Sequence, residues 1–192
     1  MRILILILSF IVITSCKTDK KAEKAPSKKI EPSTSISTNE LVLKENSFGK
    51  LNLKKGMTIE ESVIKKAFNN LKVSKSIGTQ DGPDYYIYKI GDKIALTTVS
   101  IQSNVLSEVL MDKESKLSDQ YGVKIGMPYK DVKNKRSNMS VITEHYHIYL
   151  YEKKSNIIYE MSLGNYNGPD KEEYSIEDIE NSNSKVIRII WR

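Results

Sequence analysis

The stretch Tyr121-Gly122-Val123-Lys124-Ile125-Gly126-Met127 decides the predicted fold, because it repeats a theme met earlier in the chain. The earlier pairs Phe48-Gly49 and Gly56-Met57 correspond to its pairs Tyr121-Gly122 and Gly126-Met127. After each Gly-Met pair the sequence predicts one helix and then several antiparallel strands. We therefore predict an internal duplication within one domain, with repeat units at about 47–112 and 121–192. A chance echo of a common turn is the alternative interpretation.

The elements around the two turns predict an α+β domain, in which two helices pack on a curved and mainly antiparallel β-sheet. Strands are predicted where apolar residues alternate or where β-branched residues cluster. They are 47–53, 73–77, 85–90, 94–101, 105–111, 139–143, 146–151, 157–163 and 186–191. The pair 85–90 and 94–101 and the pair 146–151 and 157–163 are predicted hairpins.

The first helix is predicted by Thr58-Ile59-Glu60-Glu61, a capping-box pattern in which Thr58 and Glu61 satisfy each other's backbone amides. Apolar residues then recur at helical spacing, at Val63, Ile64, Ala67, Phe68 and Leu71. The second helix is predicted to begin at Pro128, which suits the first helical position, and to end by about Ser137. The stretch Ser175-Ile176-Glu177-Asp178 predicts one further capped helical turn.

Residues 1–15 are predicted to be a lipoprotein signal peptide that is removed. Met1-Arg2 is a minimal positive region, and the apolar run from Ile3 to Ile13 is too short to span a bilayer. Ile13-Thr14-Ser15-Cys16 matches a lipobox, in which the Cys thiol is the lipid attachment site. Several acyl chains would anchor the protein firmly, since each buried methylene contributes about 0.8 kcal/mol. An incidental Cys in a secretory leader is the alternative.

Residues 16–38 are predicted to be a lipidated Cys followed by a disordered tether, because Lys, Ser, Thr and Pro dominate and apolar side chains are few. Residues 39–192 suit a single α+β domain. In the enterobacterial sorting rule, Asp directly after the Cys favours retention in the inner membrane. Lys17 therefore favours the outer membrane, with the domain at its periplasmic face.

The charge of the chain does not point to a nucleic-acid partner. Lys and Arg number 30 against 24 Asp and Glu, which gives a net charge of +6, and part of this excess lies in the tether. No basic stripe interleaved with aromatic residues is present in the sequence. We expect no nucleic acid among the partners.

His145 and His147 are the two histidines of the chain. Positions i and i+2 of a strand share a face, so both rings would meet one metal ion if further ligands were present. The alternative places both histidines on the outer surface of the strand. In that alternative the residues that point inward are Tyr146, Ile148 and Leu150, and Tyr149 and Tyr151 point outward with the histidines.

Acidic residues crowd the stretch 170–180, at Asp170, Glu172, Glu173, Glu177, Asp178 and Glu180. Calcium prefers such oxygen ligands, but the spacing of an EF-hand loop is absent, so a solvated acidic loop is the alternative. The sequence contains neither a nucleophile elbow nor a Gly-rich phosphate loop. We therefore predict no catalytic residues, no cofactor and no enzymatic activity.

The residues Gly122-Val123-Lys124-Ile125-Gly126-Met127 and the closing Ile189-Ile190-Trp191-Arg192 resemble a family of small envelope lipoproteins. Enterobacterial members of that family are regulated by the envelope-stress sigma factor E, and its domain is of unknown function. The resemblance spans roughly 46–192 and implies no catalytic residue. The Gly-Met turn before a helix also resembles the small lipoprotein of the outer-membrane β-barrel assembly machine and the tandem-repeat fold of β-lactamase inhibitory proteins.

A membrane anchor, a tether and a sheet-rich domain without a catalytic set predict a non-enzymatic envelope lipoprotein. Its expected partners are membrane lipid, through acylated Cys16, and an envelope protein whose assembly or stress tolerance it supports. The alternative is a periplasmic small-ligand or metal-binding protein that uses the tyrosine-rich sheet with His145 and His147. A hydrolase of envelope polymers would instead need a deep pocket lined by acidic residues with shifted pKa values.

Overall fold

The computed structural model describes residues 41–91 and 93–192. The elements in chain order are β1 (Leu43–Lys44), β2 (Ser47–Phe48), β3 (Leu51–Asn52), α1 (Glu61–Ala67), β4 (Val73–Gly78), β5 (Tyr85–Ile90), β6 (Ile94–Thr98), β7 (Leu106–Met111), α2 (Tyr129–Lys135), β8 (Ser140–Glu144), β9 (His147–Tyr151), β10 (Ile157–Met161), α3 (Ile176–Asn181) and β11 (Val186–Trp191). The α+β class is confirmed. A third helix, α3, stands where a single helical turn was predicted.

One antiparallel sheet of eight strands dominates the domain, in the order β4-β5-β6-β7-β11-β10-β9-β8. The strands that follow α1 occupy one half, and those that follow α2 occupy the other. The last strands of the two halves, β7 and β11, pair antiparallel in the middle, with Ile190 opposite Leu110. The short strands β1, β2 and β3 form a separate three-stranded sheet.

The two halves repeat each other in detail at their Gly-Met turns. The carbonyl of Met57 accepts the amide of Leu106 at 2.8 Å, and that of Met127 accepts the amide of Val186 at 3.0 Å. Gly56 and Gly126 both have positive φ angles, of 73° and 81°, which glycine adopts without a Cβ penalty. Each turn is thus tied to the start of the last strand of its own half.

A β-bulge also recurs at matching positions. The pairing of β6 with β7 shifts register between Thr97 and Thr98, and that of β10 with β11 shifts between Glu160 and Met161. In both halves the shift lies opposite the start of the last strand, β7 or β11, close to the contact of that strand with its Gly-Met turn. A common origin of the halves stays a prediction, but they share one plan of hydrogen bonding.

The hydrophobic core lies between one face of the eight-stranded sheet and the helices. The buried residues of that face are Tyr88, Ile90, Ile94, Leu96, Val109, Met111, Ile148, Leu150, Ile157, Tyr159, Ile189 and Trp191. Ile64 and Phe68 at α1, Val132 of α2 and Ile179 of α3 belong to the same cluster. Side chains alternate along strands, and none of the described helices packs on the opposite face of the sheet.

The predicted start of the first helix is wrong. Glu60, not Thr58, precedes the helix, and no side chain caps it. Thr58 instead forms a β-bridge with Val105, so the chain is still extended where the capping box was expected. Glu61 pairs with Lys65 at 2.6 Å along the helix surface. The helix is also less amphipathic than predicted, because Val63 is 45% exposed.

Other predicted boundaries shift by a few residues. The predicted strand 47–53 is broken into β2 and β3 by a turn at Gly49, whose φ is 55°. Pro128 is the extended residue before α2 and not its first helical residue. The capping box of Ser175 and Asp178 is present and starts α3 as predicted. The strand 186–191 is confirmed at both ends.

The predicted signal peptide (1–15), the lipid attachment at Cys16 and the tether (16–38) lie outside the described residues. Within residues 41–91 and 93–192, no helix is long and apolar enough to cross a membrane. Apart from Ile190, the buried apolar residues of this part form one cluster, which is what a single core would require.

Candidate functional site

The face of the eight-stranded sheet opposite the helices, here called the open face, carries a groove of about 1140 Å³. Strands β5, β6, β7 and β11 form its floor, and the loop 80–83 forms part of its wall. The charged side chains that line it are Asp81, Lys89, Lys93, Glu108, Asp112, Arg188 and Arg192. Apolar residues such as Leu110 and Ile190 lie between these charges, so the surface is mixed in character.

A buried carboxylate fixes one arginine in this groove. Glu160 lies opposite Arg188 in the pairing of β10 with β11, and its side chain is 3% exposed. Arg188 donates from Nη1 to Oε2 at 2.6 Å, and Nδ1 of His147 lies 2.7 Å from Oε1. Both oxygens of Glu160 are therefore engaged. Arg188 remains 42% exposed, so its guanidinium is held in place and still faces solvent.

Glu108 on β7 is a second carboxyl group of the open face. Burial raises its pKa above the usual range, and the nearby guanidinium groups of Arg192 and Arg188 only partly oppose that effect. A carboxyl with a raised pKa is protonated more readily than a solvated one, so it can donate as well as accept a hydrogen bond.

Arg192 joins the groove to a neighbouring pocket of about 360 Å³. Its guanidinium carbon lies 5.8 Å from the ring centre of Tyr149, and its Nη2 lies 3.9 Å from Oε2 of Glu144. Tyr149 and Arg192 line both cavities, and Ile142 and Ile158 supply apolar walls in the smaller one. The open face thus carries arginine and tyrosine, which are enriched at protein interfaces, among lysine, acidic and small residues.

The predicted pairing of His145 with His147 on one strand is wrong. His145 and Tyr146 form a two-residue turn between β8 and β9, with φ angles of 49° and 68°, and Glu144 pairs with His147. Two successive positive φ angles are those of the tight hairpin turn that matches strand twist. His145 therefore sits at the rim of the groove, and His147 faces Glu160.

The other side chains of this predicted strand point in the directions that the alternative interpretation predicted, with one exception. Ile148 and Leu150 are buried in the core, but Tyr146 is 91% exposed because it occupies the turn. His147 stacks with Tyr149 on the outer side, with ring centres 6.1 Å apart. Among the described residues, no group of three or more His, Cys, Asp or Glu side chains is arranged to hold a metal ion.

Two acidic residues of the stretch 170–180, Asp178 and Glu180, make structural contacts at α3. Asp178 accepts hydrogen bonds from the amide and hydroxyl of Ser175 and lies 2.7 Å from Nζ of Lys171. These donors lower the pKa of Asp178 to about 2. Glu180 pairs with Lys133 of α2 at 3.1 Å. These acidic groups hold a helix start and a helix–helix contact.

A buried polar network lies under the other face of the sheet and was not predicted from the sequence. Arg136, whose side chain is 1% exposed, donates to the hydroxyl of Tyr159 at 3.1 Å and to Glu152 at 2.7 Å. Tyr159 in turn donates to Asp119. Burial raises the pKa of Asp119, although three donors and Arg136 oppose it. From the sequence, a single Arg at the end of a helix is expected to be solvent-exposed. The buried role of Arg136 is therefore shown only by the structure.

A second polar residue, the half-buried Glu45, connects the start of the described domain to its last strand. Its carboxylate accepts from the hydroxyl of Tyr121 at 2.9 Å and from the amide of Asn156 at 2.6 Å. Its backbone carbonyl accepts from the indole of Trp191 at 2.7 Å. Contacts between residues more than 100 positions apart have no local sequence signal.

The comparisons with known proteins agree with this architecture. The crystal structure of the uncharacterized protein yfeY from Escherichia coli is similar, with a TM-score of 0.57 and 22% sequence identity, over 79% of this chain and 99% of that one. At this identity the likeness shows the fold alone. No curated protein matches the chain.

The family comparison covers most of the sequence. The profile described as "Protein of unknown function (DUF1131)" matches residues 28–192, which include both Gly-Met turns and the whole eight-stranded sheet. The predicted resemblance to a domain of unknown function is confirmed at this level. Regulation by the envelope-stress sigma factor and a link to β-barrel assembly stay predictions. The chain belongs to the DUF1131 family of proteins of unknown function.

Proposed function

We propose that this protein is a lipid-anchored lipoprotein of the bacterial envelope, held through Cys16, whose domain binds an envelope protein with the open face of its sheet. The observation that carries the proposal is the open face itself: a groove that holds Arg188 in place and exposes Val99, with half-buried Tyr149 and exposed Ile142 in the adjoining pocket, on the side that no described helix covers. In this proposal the domain is a binding module and not an enzyme.

The composition of the open face supports a protein partner. Arginine and tyrosine dominate the energetics of protein interfaces because they combine large contact area with hydrogen bonding. Val99 at the groove is 55% exposed and Ile142 at the smaller pocket is 40% exposed, so apolar anchors lie beside the charges. Arg188 is already fixed by Glu160, which reduces the entropy lost when a partner binds.

The anchor leads to the first test. The variant Cys16→Ser lacks the thiol that carries the lipid, so it should remain unlipidated and should fractionate away from the outer membrane. The measurement is membrane fractionation with intact-mass analysis, and Ser15→Ala serves as the control because alanine is also a small residue. Normal membrane association of Cys16→Ser would refute the lipobox interpretation.

The second test addresses the open face in cells. A photoreactive phenylalanine analogue at Tyr149 should give one discrete cross-linked product, whereas the same analogue at Lys66, exposed on α1 on the other side of the sheet, should not. Adding Arg192→Ala should reduce the Tyr149 product about tenfold or more, since hot-spot residues contribute at least about 1.4 kcal/mol.

The controls of this test separate binding from folding. Lys66→Ala removes an exposed charge far from the open face and should leave the product unchanged. The thermal midpoint of Arg192→Ala should stay near that of the wild type, because the side chain is 42% exposed. Equal products from positions 149 and 66, or none from either, would contradict binding by the open face. A small molecule retained in native mass spectrometry, with no cross-link, would favour the small-ligand alternative.

A further inference from the structure

Strand β4 forms one edge of the eight-stranded sheet, and none of the described residues pairs with its outer side. The amide of Gly91 donates to the carbonyl of Lys72 at 2.8 Å. Hydrogen-bonded pairs alternate along an antiparallel ladder, so Ser74 and Ser76 bond to β5. The backbone N–H and C=O groups of Val73, Lys75 and Ile77 consequently point away from the sheet. These six groups are a template for another strand.

This edge lacks the features that usually keep edges apart. Natural proteins use proline, bulges or outward charges for that purpose. Strand β4 contains no proline and pairs with β5 over six residues without a register shift. Its one charged residue, Lys75, turns back over its own sheet, with Nζ 3.4 Å from the ring centre of Tyr86.

The opposite edge of the sheet, at β8, is partly covered by another segment of the chain. At β8, the hydroxyl oxygen of Thr143 accepts the amide of Tyr174 at 3.0 Å, so the segment before α3 lies against that edge. Strand β8 also ends at Glu144, which is 45% exposed. The bare edge at β4 is therefore a local property of the first half of the domain.

The side chains of β4 are self-complementary. If two copies pair antiparallel about Lys75, Val73 of one copy lies opposite Ile77 of the other, and Ser74 lies opposite Ser76. Ile77 is 58% exposed in the single chain, and this pairing would cover it with an apolar partner on the same face. The register also uses all six outward backbone groups of each copy. This register places the two Lys75 residues opposite each other, so their positive charges repel. The repulsion is reduced because each ammonium lies over the ring of Tyr86.

We propose that β4 pairs with β4 of a second copy of this chain, so that the eight-stranded sheets of two molecules become one continuous antiparallel sheet. The inference does not depend on the lipid anchor or on the open face, because it rests on the edge alone. The occupant is a second copy and not a foreign strand, because both the apolar pair and the serine pair match within β4 itself.

Disulfide cross-linking of the full chain in detergent tests the register. The background is Cys16→Ser, which removes the one native cysteine. Ser74 and Ser76 form a non-hydrogen-bonded pair across the interface, where Cα atoms are about 4.5 Å apart and a disulfide can form. A mixture of Ser74→Cys and Ser76→Cys chains should give a linked dimer at least tenfold more efficiently than either variant alone.

Three further measurements decide the outcome. Ile77→Lys places a charge at the edge and should reduce the linked dimer about tenfold or more, whereas Ser103→Lys, in the loop between β6 and β7, should not. Hydrogen exchange should show protection of the amides of Val73, Lys75 and Ile77 that is lost on dilution. A monomer by sedimentation overturns the proposal, as does efficient linking of Ser76→Cys to itself. Protection of these amides that persists in a monomer would assign the edge to a segment of the same chain and would also overturn it.

Discussion

Replacing Arg136 by leucine should lower the free energy of unfolding by about 3 kcal/mol. Removing one partner of a buried ion pair costs roughly 3–5 kcal/mol, and Glu152 is partly exposed, which places the effect at the lower end. The hydroxyl of Tyr159 loses its donor, and the buried Asp119 loses the favourable charge of Arg136. Urea denaturation followed by circular dichroism measures the change, with an unaltered m-value as evidence that the fold is kept.

The first half of the domain supplies the matched control. Phe68 occupies the position of Arg136, since each follows its helix and donates its amide four residues back, to Ile64 and Val132 respectively. Counting along the paired strands from Met111 and Trp191, Leu96 matches Tyr159 and Ile90 matches Glu152. The triple variant Arg136→Phe, Tyr159→Leu, Glu152→Ile installs this apolar set in the second half.

We expect this triple variant to be more stable than Arg136→Leu alone, because well-packed apolar groups often replace a buried ion pair at little cost. The three single changes should then fail to add, which is the signature of residues that act as one network. If the free energy of unfolding of the triple variant falls by the sum of the decreases in the three single variants, Arg136 is not energetically coupled to Tyr159 and Glu152. The three residues would then not act as a network.

Replacing Trp191 by alanine should lower the free energy of unfolding by about 3–5 kcal/mol, the usual cost of deleting a large buried aromatic side chain. Trp191 is 1% exposed and lies on β11, whose neighbours are β7 and β10. Its indole N–H also holds the carbonyl of Glu45, so the change releases the entry of the domain as well as opening a cavity. Thermal and urea unfolding report the loss.

Two variants separate the contributions at Trp191. Trp191→Phe keeps an aromatic ring and removes the hydrogen bond to Glu45, so it should cost less than Trp191→Ala, with about 1 kcal/mol of its loss due to the hydrogen bond. Ile187→Ala changes a residue of the same strand that is 38% exposed, and it should stay within about 0.5 kcal/mol of the wild type. A similar loss from Ile187→Ala and Trp191→Ala would mean that strand β11 and not the buried indole carries the effect.

Elements with strong local patterns could be predicted from the sequence. The strand at Val186–Trp191 and the hairpin of β5 and β6 follow from dense β-branched and aromatic residues. The helix start at Thr58 could not, because a β-bridge to Val105 keeps the chain extended there and overrides the capping pattern. The hairpin turn at His145-Tyr146 was missed because neither residue is a usual turn former.

Less of the candidate site than of the fold could be predicted from the sequence. The outward facing of His147 followed from strand alternation, and the structure places that ring on Glu160. The groove, however, exists only because β7 and β11 pair in the middle of the sheet, which brings Glu108 and Arg192 from distant segments onto one face. Sequence periodicity says which residues share a face of one strand, but not which strands are neighbours.

The central place of β11 has a consequence for how the domain is made. A chain that emerges from its amino end presents β4, β5, β6 and β7 first, and then β8, β9 and β10, while β11, which joins the two groups, comes after all of them. Until that segment appears, β7 has no neighbour on one side and the core lacks Trp191. We therefore expect the two halves of the sheet to join in one late step, when β11 inserts between β7 and β10. Before that step, the chain would consist of two half-sheets whose inner edge strands are unpaired.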